Sequence, residues 1–185
     1  MENDFKFIKA KFKENLKKYK SHFKVFNAIE DFEIKWSNSY TDFFSYSSRM
    51  NGYKPPKLYN EKPLSDEGII QNRFKNNEIY YSFQYSNKEW GTEFYLTDEQ
   101  NNKMRLFYEN QNEDEKMLLS QFDYKVMNGN VIDKVFCYMY DSDMEEETFY
   151  IYEYFYVNDK ISKIIRIDYF DMDTKMIFNE NDLNK

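Results

Sequence analysis

The acidic segment 141–147 is the part of this sequence whose residue types and spacing come closest to a known binding chemistry. It runs Asp-Ser-Asp-Met-Glu-Glu-Glu, and carboxylates at alternate positions can bind calcium. An EF-hand loop needs glycine at its sixth position and glutamate at its twelfth, between two helices. Here Glu146 occupies the sixth position, and the flanking residues alternate as strands do. The segment therefore predicts no calcium site, and the sequence predicts no metal or cofactor elsewhere.

Residues that could perform catalysis are scarce. The single histidine, His22, argues against histidine triads, and the single cysteine, Cys137, excludes an intramolecular disulfide. No glycine-rich phosphate loop or G-x-S-x-G motif is present. A pair of carboxylates could hydrolyse a glycosidic bond, and Glu153 is the best candidate because its neighbours are apolar. A buried Glu153 neutralised by Arg166 or a lysine is the commoner arrangement, so we expect no enzyme. We expect His22 to face solvent and Cys137 to be buried.

Length and composition predict one globular domain spanning residues 1–185. The chain has 185 residues, of which 41% are hydrophobic and 32% charged, enough for a packed core without disulfides. No apolar run is long enough for a transmembrane helix. The first residues mix lysine with phenylalanine and lack the apolar core of a signal peptide. We therefore expect a cytoplasmic protein.

The N-terminal part predicts an amphipathic helix over residues 4–30. Apolar residues recur there every three or four positions, so they share one face, and Phe12, Leu16 and Phe23 should pack on a sheet. Residues 1–35 hold nine lysines and six acids, whereas the rest holds 17 basic and 27 acidic residues. A basic helix can bind membranes or nucleic acid. The acidic body opposes both, so neither is expected as a partner.

The middle of the chain is the least regular part. Residues 36–64 show no period, and turn residues interrupt them at Asn51-Gly52 and Pro55-Pro56. Residues 65–75 predict a short helix capped by Ser65, because Asp and Glu follow that serine. From Glu78 onward the apolar period switches to two. Candidate strands are 78–86, 90–97, 103–109, 116–126, 130–140, 147–157, 161–170 and 174–178.

Short polar connections between these segments predict an antiparallel β meander over residues 78–178. The expected fold class is α+β: a meander of seven to eight strands, as a curved sheet or partly closed barrel, with the N-terminal amphipathic helix packed on it. The later strands have apolar residues on both faces. The helix should cover one face. The other face should be covered by the 36–75 segment, by closure of the sheet into a barrel, or by a partner.

Two turns predict strand registers. Asn128-Gly129 is a strong hairpin signal and places Asp123 opposite Lys134.

The second turn, Asn158-Asp159, places Tyr152 opposite Ile165. On its other face, Glu153, Arg166 and Asp168 could neutralise one another.

A meander sends alternate loops to the same end of the sheet, and this gathers the acids. Ten acids fall at one end and three (Asp98, Glu99 and Asp159) at the other. The ten are Glu89, Glu113, Asp114, Glu115, Asp141, Asp143, Glu145, Glu146, Asp171 and Asp173. We call the acids of loops 110–115, 141–146 and 171–173 the acidic rim. The rim, with Tyr140 as an aromatic anchor, is the predicted surface for a basic protein partner.

The acidic loops, the size and the meander with turns at Asn128-Gly129 and Asn158-Asp159 resemble immunity proteins of bacterial toxin systems. This resemblance implies a non-catalytic inhibitor that binds and neutralises a basic toxin domain or other protein. One alternative is a carrier of small apolar ligands with a barrel-like pocket lined by aromatic residues. The other is a structural or interaction protein.

Overall fold

A computed structural model of the chain describes residues 1–64, 68–85, 91–110, 117–142, 144–171 and 174–183. It shows an α+β fold built on one large antiparallel sheet, with helices at the N-terminus. The helices are α1 (Glu2–Asn15), α2 (Tyr19–Asn27), α3 (Ser47–Met50) and α4 (Glu180–Leu183). The strands are β1 (Glu33–Ser37), β2 (Leu58–Tyr59), β3 (Ile69–Lys75), β4 (Glu78–Tyr85), β5 (Gly91–Thr97), β6 (Lys103–Asn110), β7 (Met117–Asn128), β8 (Val131–Asp141), β9 (Glu146–Val157), β10 (Lys160–Asp168) and β11 (Lys175–Asn179).

The strand order across the sheet is β11-β10-β9-β8-β7-β6-β5-β4-β3-β1-β2. Strands β4 to β11 follow one another in chain order, so the predicted meander is confirmed. The sheet has 11 strands rather than seven or eight, and its ends at β11 and β2 do not meet. Closure into a barrel was therefore the wrong alternative.

The three additional strands come from segments that the sequence analysis interpreted differently. β1 overlaps the start of the irregular segment 36–64, and β2 lies within it. The predicted helix 65–75 is wrong, because Ile69–Lys75 forms β3. Asn76 and Asn77 both have left-handed φ angles, as a two-residue type I′ turn requires, and they join β3 to β4 as a hairpin. The proposed cap Ser65 lies outside the described residues.

The predicted helix 4–30 is two helices, α1 and α2, with a break after Asn15. Carbonyl groups at the end of α1 accept hydrogen bonds from the sheet. Tyr108 Oη donates to the carbonyl of Asn15 at 2.7 Å, and the backbone N–H of Leu119 donates to that of Leu16 at 3.4 Å. The sheet thus provides partners at the break. Phe12, Leu16 and Phe23 pack on the sheet as predicted.

His22 does not face solvent as expected. It is half-buried in α2, its Nε2 lies 3.2 Å from Asn15 Oδ1, and its ring lies against Phe94 and Tyr108. Burial lowers the pKa of His22.

Both faces of the sheet are covered, each by a different part of the chain. We call the side under α1 and α2 the helix face; there Ile8, Phe12 and Phe26 join the aromatic core of the sheet. We call residues 38–57 the strap and the side beneath them the strap face. Phe43 and Phe44 of the strap pack there with a cluster that includes Val135, Cys137, Tyr152, Ile164 and Leu183. The irregular segment therefore covers the second face, and Cys137 is buried as predicted.

The predicted register of the first hairpin is wrong. Gly129 and Asn130 form the turn, and of these two only Gly129 has a positive φ, the pattern of a type II′ turn. A β-bulge then shifts the ladder, because Val126 pairs with Lys134 while Met127 pairs with Ile132. Asp123 consequently faces Cys137 rather than Lys134.

The second hairpin is partly as predicted. Asn158 and Asp159 form the turn, both with left-handed φ angles, and Tyr156 pairs with Ile161. A bulge at Ser162 then shifts the pairing by one residue, so Tyr152 faces Arg166 instead of Ile165. The prediction is therefore wrong beyond the bulge, because one extra residue displaces every later pair.

The contact between α1 and the sheet makes a stability prediction. Replacing the fully buried Ile8 by alanine is expected to lower the free energy of unfolding by about 2–5 kcal/mol, because it leaves a cavity beneath α1. Val25 of α2 is 63% exposed, so Val25→Ala should change the free energy of unfolding by less than about 0.5 kcal/mol. Urea denaturation of the two variants measures this difference. Equal losses in both variants would contradict the described packing.

Candidate functional site

A buried ionic cluster on the strap face is the strongest concentration of charge in the described core. It consists of Glu93 on β5, Arg105 on β6 and Asp123 on β7, three strands in succession. Arg105 Nη1 lies 3.0 Å from Glu93 Oε1, and its Nε donates to Asp123 Oδ2 at 2.6 Å. Gln121 also donates to both oxygens of Asp123. The cluster joins the middle strands through their side chains.

Neighbouring groups complete this cluster and close it from solvent. Tyr95 Oη donates a hydrogen bond to Glu93, and the Phe43 ring of the strap lies 5.8 Å from the Arg105 guanidinium carbon. Burial raises the pKa of Glu93, against the opposing effect of Arg105. Burial also opposes the charge on Arg105, but the two acids outweigh it and hold its pKa above the usual value.

The cluster neutralises its own acids instead of presenting them to a substrate. Glu93 and Asp123 are buried and both bind the same guanidinium group. Cys137 lies opposite Asp123, and burial raises the pKa of its thiol, which keeps it protonated and unreactive. This arrangement stabilises the sheet and offers no activated nucleophile.

Glu153, the candidate acid from the sequence, has a different environment. It is half-buried, and Lys134 Nζ on the adjacent strand lies 3.2 Å from its Oε1. The predicted neutralisation by a lysine is confirmed, whereas the group formed with Arg166 and Asp168 is wrong. Arg166 instead contacts the ring of Tyr150 and the sulfur of Met176. Asp168 accepts a hydrogen bond from the backbone of the following turn.

The confirmed strand order places the described rim residues at one end of the sheet. Tyr140 and Asp141 end β8, Glu145 lies in the following turn, and Glu146 begins β9. Asp171 lies in the turn between β10 and β11, where it accepts a hydrogen bond from Thr174. The four acids are exposed and Tyr140 is half-buried. The remaining predicted site residues lie outside the described part of the chain: Glu113, Asp114, Glu115, Asp143 and Asp173.

Three of these residues meet in a groove of about 550 Å³, which we call the acidic groove. Tyr140, Asp141 and Glu146 line it, and so does Glu109 at the end of β6, which the sequence analysis did not select. Other lining residues are Phe107, Asn110, Ser120, Gln121, Met139, Ser142, Met144 and Thr148. Within the described lining there are three acids and no lysine or arginine. Glu109 could have been found by asking which other strands end at the same end of the sheet as β8.

Backbone geometry brings like charges together beside this groove. Asp141 and Glu146 are direct cross-strand partners of β8 and β9. Glu145 has a left-handed φ of 55°, which is uncommon for a residue with a Cβ. Asp141 also accepts a hydrogen bond of 3.1 Å from the backbone N–H of Met144, which stabilises the turn. The turn therefore places two acidic residues directly opposite each other on paired strands.

No protein-family model, curated protein or solved structure matches this chain. Among the described residues, none of the helices has the length and apolar character needed to cross a membrane. Within that same part of the chain, no three His, Cys, Asp or Glu residues are grouped so that they could bind a metal ion.

The ionic cluster makes a testable prediction about stability. Arg105→Met leaves two buried carboxyl groups without their counter-charge, and we expect it to lower the free energy of unfolding by about 3–5 kcal/mol. Adding Asp123→Asn should recover part of this loss, because one unpaired charge is then removed. Arg166→Met, at a more exposed arginine, should cost less than about 1 kcal/mol.

Urea denaturation of these three variants and of Asp123→Asn alone measures these effects. If Arg105→Met and Arg166→Met lose the same stability, the buried cluster does not contribute as described. If Asp123→Asn adds its full separate cost to that of Arg105→Met, the two side chains are not coupled.

Proposed function

We propose that this chain is a non-catalytic, cytoplasmic binding protein that captures a basic protein partner in the acidic groove. An immunity-type inhibitor of a toxin domain is the form of this function that we favour. The observation that carries the proposal is the described lining of the groove, where Glu109, Asp141 and Glu146 come together. A concave surface of one charge sign concentrates ions of the opposite sign.

The opposed carboxylates of Asp141 and Glu146 support a cationic partner. Like charges directly opposite one another on paired strands destabilise the sheet. A lysine or arginine of the partner would form charge-assisted hydrogen bonds with these carboxylates. Binding would then be stronger than the same contact made with an isolated acid. The groove is therefore better suited to a basic side chain than to an anionic ligand.

Apolar side chains at the same groove can supply binding free energy that slows dissociation of a complex, to which exposed charges contribute little. Met144 is 65% exposed, and Met139 and Tyr140 also line the groove. Methionine adapts its shape to different partner surfaces, and tyrosine is enriched among residues that dominate binding energy. The net charge of −7 would accelerate the encounter with a basic protein. The charges would thus set the association rate, and the apolar contacts would set the dissociation rate.

An enzymatic function has less support than binding. The buried acids Glu93 and Asp123 are neutralised by Arg105, and Glu153 by Lys134. A structural or interaction protein remains the alternative that uses the same surface, and it differs in lacking a single tight partner.

Neutralising the groove is expected to slow association. The groove variant carries Glu109→Gln, Asp141→Asn and Glu146→Gln together. Against the partner recovered by affinity capture from the native host and then purified, its association rate at low salt should fall about tenfold or more. Its dissociation rate should change less, because the apolar contacts remain. Stopped-flow measurements over a range of salt concentrations give both rates.

A matched control removes three acids from the other end of the sheet: Glu99→Gln, Asp133→Asn and Asp159→Asn. All three positions are exposed, so the control loses the same charge without touching the groove. It should associate at nearly the wild-type rate. The proposal fails if the groove variant associates as fast as the wild type, or if the control slows equally.

A further inference from the structure

A cleft between β4 and β5 interrupts the sheet. Among the described residues, only three pairs join these strands, the last of them Tyr81 with Phe94. A β-bulge causes the separation, because Arg73 pairs with Tyr81 while Phe74 pairs with Ile79, which leaves Tyr80 as the extra residue. A bulge bends its strand and increases the local twist. The first residues of β4 thus diverge from the last residues of β5.

The cleft contains a cavity of about 590 Å³ whose lining comes from both faces of the sheet. On the helix face, Val25, Phe26 and Ile29 form an apolar wall. On the strap face, Phe43 and Lys125 line the opposite end. The volume lies in the range typical of small-molecule sites. The cavity is therefore apolar at one end and carries a cation at the other.

Lys125 has no acidic partner in the described structure. Its Nζ donates to the carbonyl of Phe43 at 2.8 Å and lies 4.6 Å from the centre of the Phe43 ring. No described carboxylate oxygen lies within 4 Å of it, the ion-pair distance. Burial lowers the pKa of Lys125 to about 8, the neighbouring Lys103 contributes in the same direction, and Glu78 opposes both more weakly. An anion beside Lys125 would stabilise its charged form.

The other charged groups that line the cavity have partners of their own. Glu78 is paired with Lys103 at 3.2 Å. The carboxylate of Asp42 accepts hydrogen bonds from the Ser47 hydroxyl and the Ser48 backbone N–H at the start of α3. Within the described residues, Lys125 is therefore the charged group of this cavity with no opposite charge at ion-pair distance, because Glu78 is paired with Lys103.

We propose that the β4–β5 cleft binds a small amphipathic carboxylate, such as a medium-chain fatty acid. Its alkyl chain would lie against Val25, Phe26 and Ile29, and its carboxylate would accept a hydrogen bond from Lys125. An apolar body alone would fit the wall but would leave the buried lysine unpaired, and a purely polar anion would not fill the apolar end. This site is separate from the acidic groove and does not depend on the proposed function.

Isothermal titration calorimetry with decanoate tests the site. Wild-type protein should bind one decanoate, and Lys125→Met should weaken binding about tenfold or more, because a hydrogen bond to a charged group is lost. Methionine has a similar length and places no charge in the core, so this variant should remain folded. Lys134→Met, the same change at a lysine outside the cavity, should bind as the wild type does. Decanol, which lacks the carboxylate, should bind more weakly than decanoate.

A second variant tests the apolar end independently. Val25→Glu changes an exposed residue and puts a negative charge beside the alkyl chain, so it should also weaken decanoate binding about tenfold or more. The groove variant should bind decanoate normally, which separates this proposal from the proposed function. The proposal is overturned if wild-type protein gives no saturable binding, if Lys125→Met binds like the wild type, if Lys134→Met loses as much affinity, or if decanol binds as tightly.

Discussion

A sheet with large apolar side chains on both faces must be covered twice, and most of this structure follows from that requirement. The helix face carries Phe94, Tyr108 and Phe122, whereas the strap face carries Val135 and Tyr152, all of them buried. Exposure of either set would leave an extended apolar surface, which single-chain proteins avoid. Two helices cover the first face and the strap covers the second. The last short helix adds Leu183 to the second cluster.

The strap also explains why the middle of the chain shows no sequence period. The strap packs on the sheet through single side chains at irregular spacing, and not through a regularly spaced apolar face. Phe43 and Phe44 insert into the strap-face cluster, and Tyr40 Oη donates to the carbonyl of Gly91 at 2.7 Å. Gly91 has no side chain, and a Cβ there would lie 2.9 Å from Tyr40 Oη of the strap. The close approach of the strap to β5 therefore depends on a glycine at this position.

The extent to which the sequence predicted this fold can be judged from particular elements. All the strands from β4 to β11 and the Asn158-Asp159 turn were correctly inferred, because alternation and turn residues are local signals. The bulges at Asp133 and Ser162 were not inferred. A single extra residue shifts the pairing of the strands but leaves the alternation of apolar residues on either side of it unchanged. β3 was missed because its pairing with β1 and β4 is not a local property of residues 65–75.

The candidate sites follow the same distinction. The strand order gathered the described acids of the rim, as the meander predicted, because loop position depends on topology and not on register. The buried cluster of Glu93, Arg105 and Asp123 depends on three registers at once, and the sequence analysis selected Glu153 instead. The β4–β5 cleft depends on the bulge at Tyr80. The acidic rim depends on the order of the strands and could be inferred from the sequence. The ionic cluster and the cleft depend on which residues pair across strands, and only the structure shows that.

The open sheet has two edge strands, β2 and β11, which differ in how readily another strand can pair with them. β2 is two residues long and offers little backbone for another strand to join. β11 is five residues long, and its Met176 and Ile177 are 43% and 56% exposed. An unpaired strand with apolar side chains is a template for further strand addition. Self-association of this chain at high concentration would therefore pair β11 with β11 of a second copy and stop at a dimer, and α4 beyond β11 limits how many residues can pair.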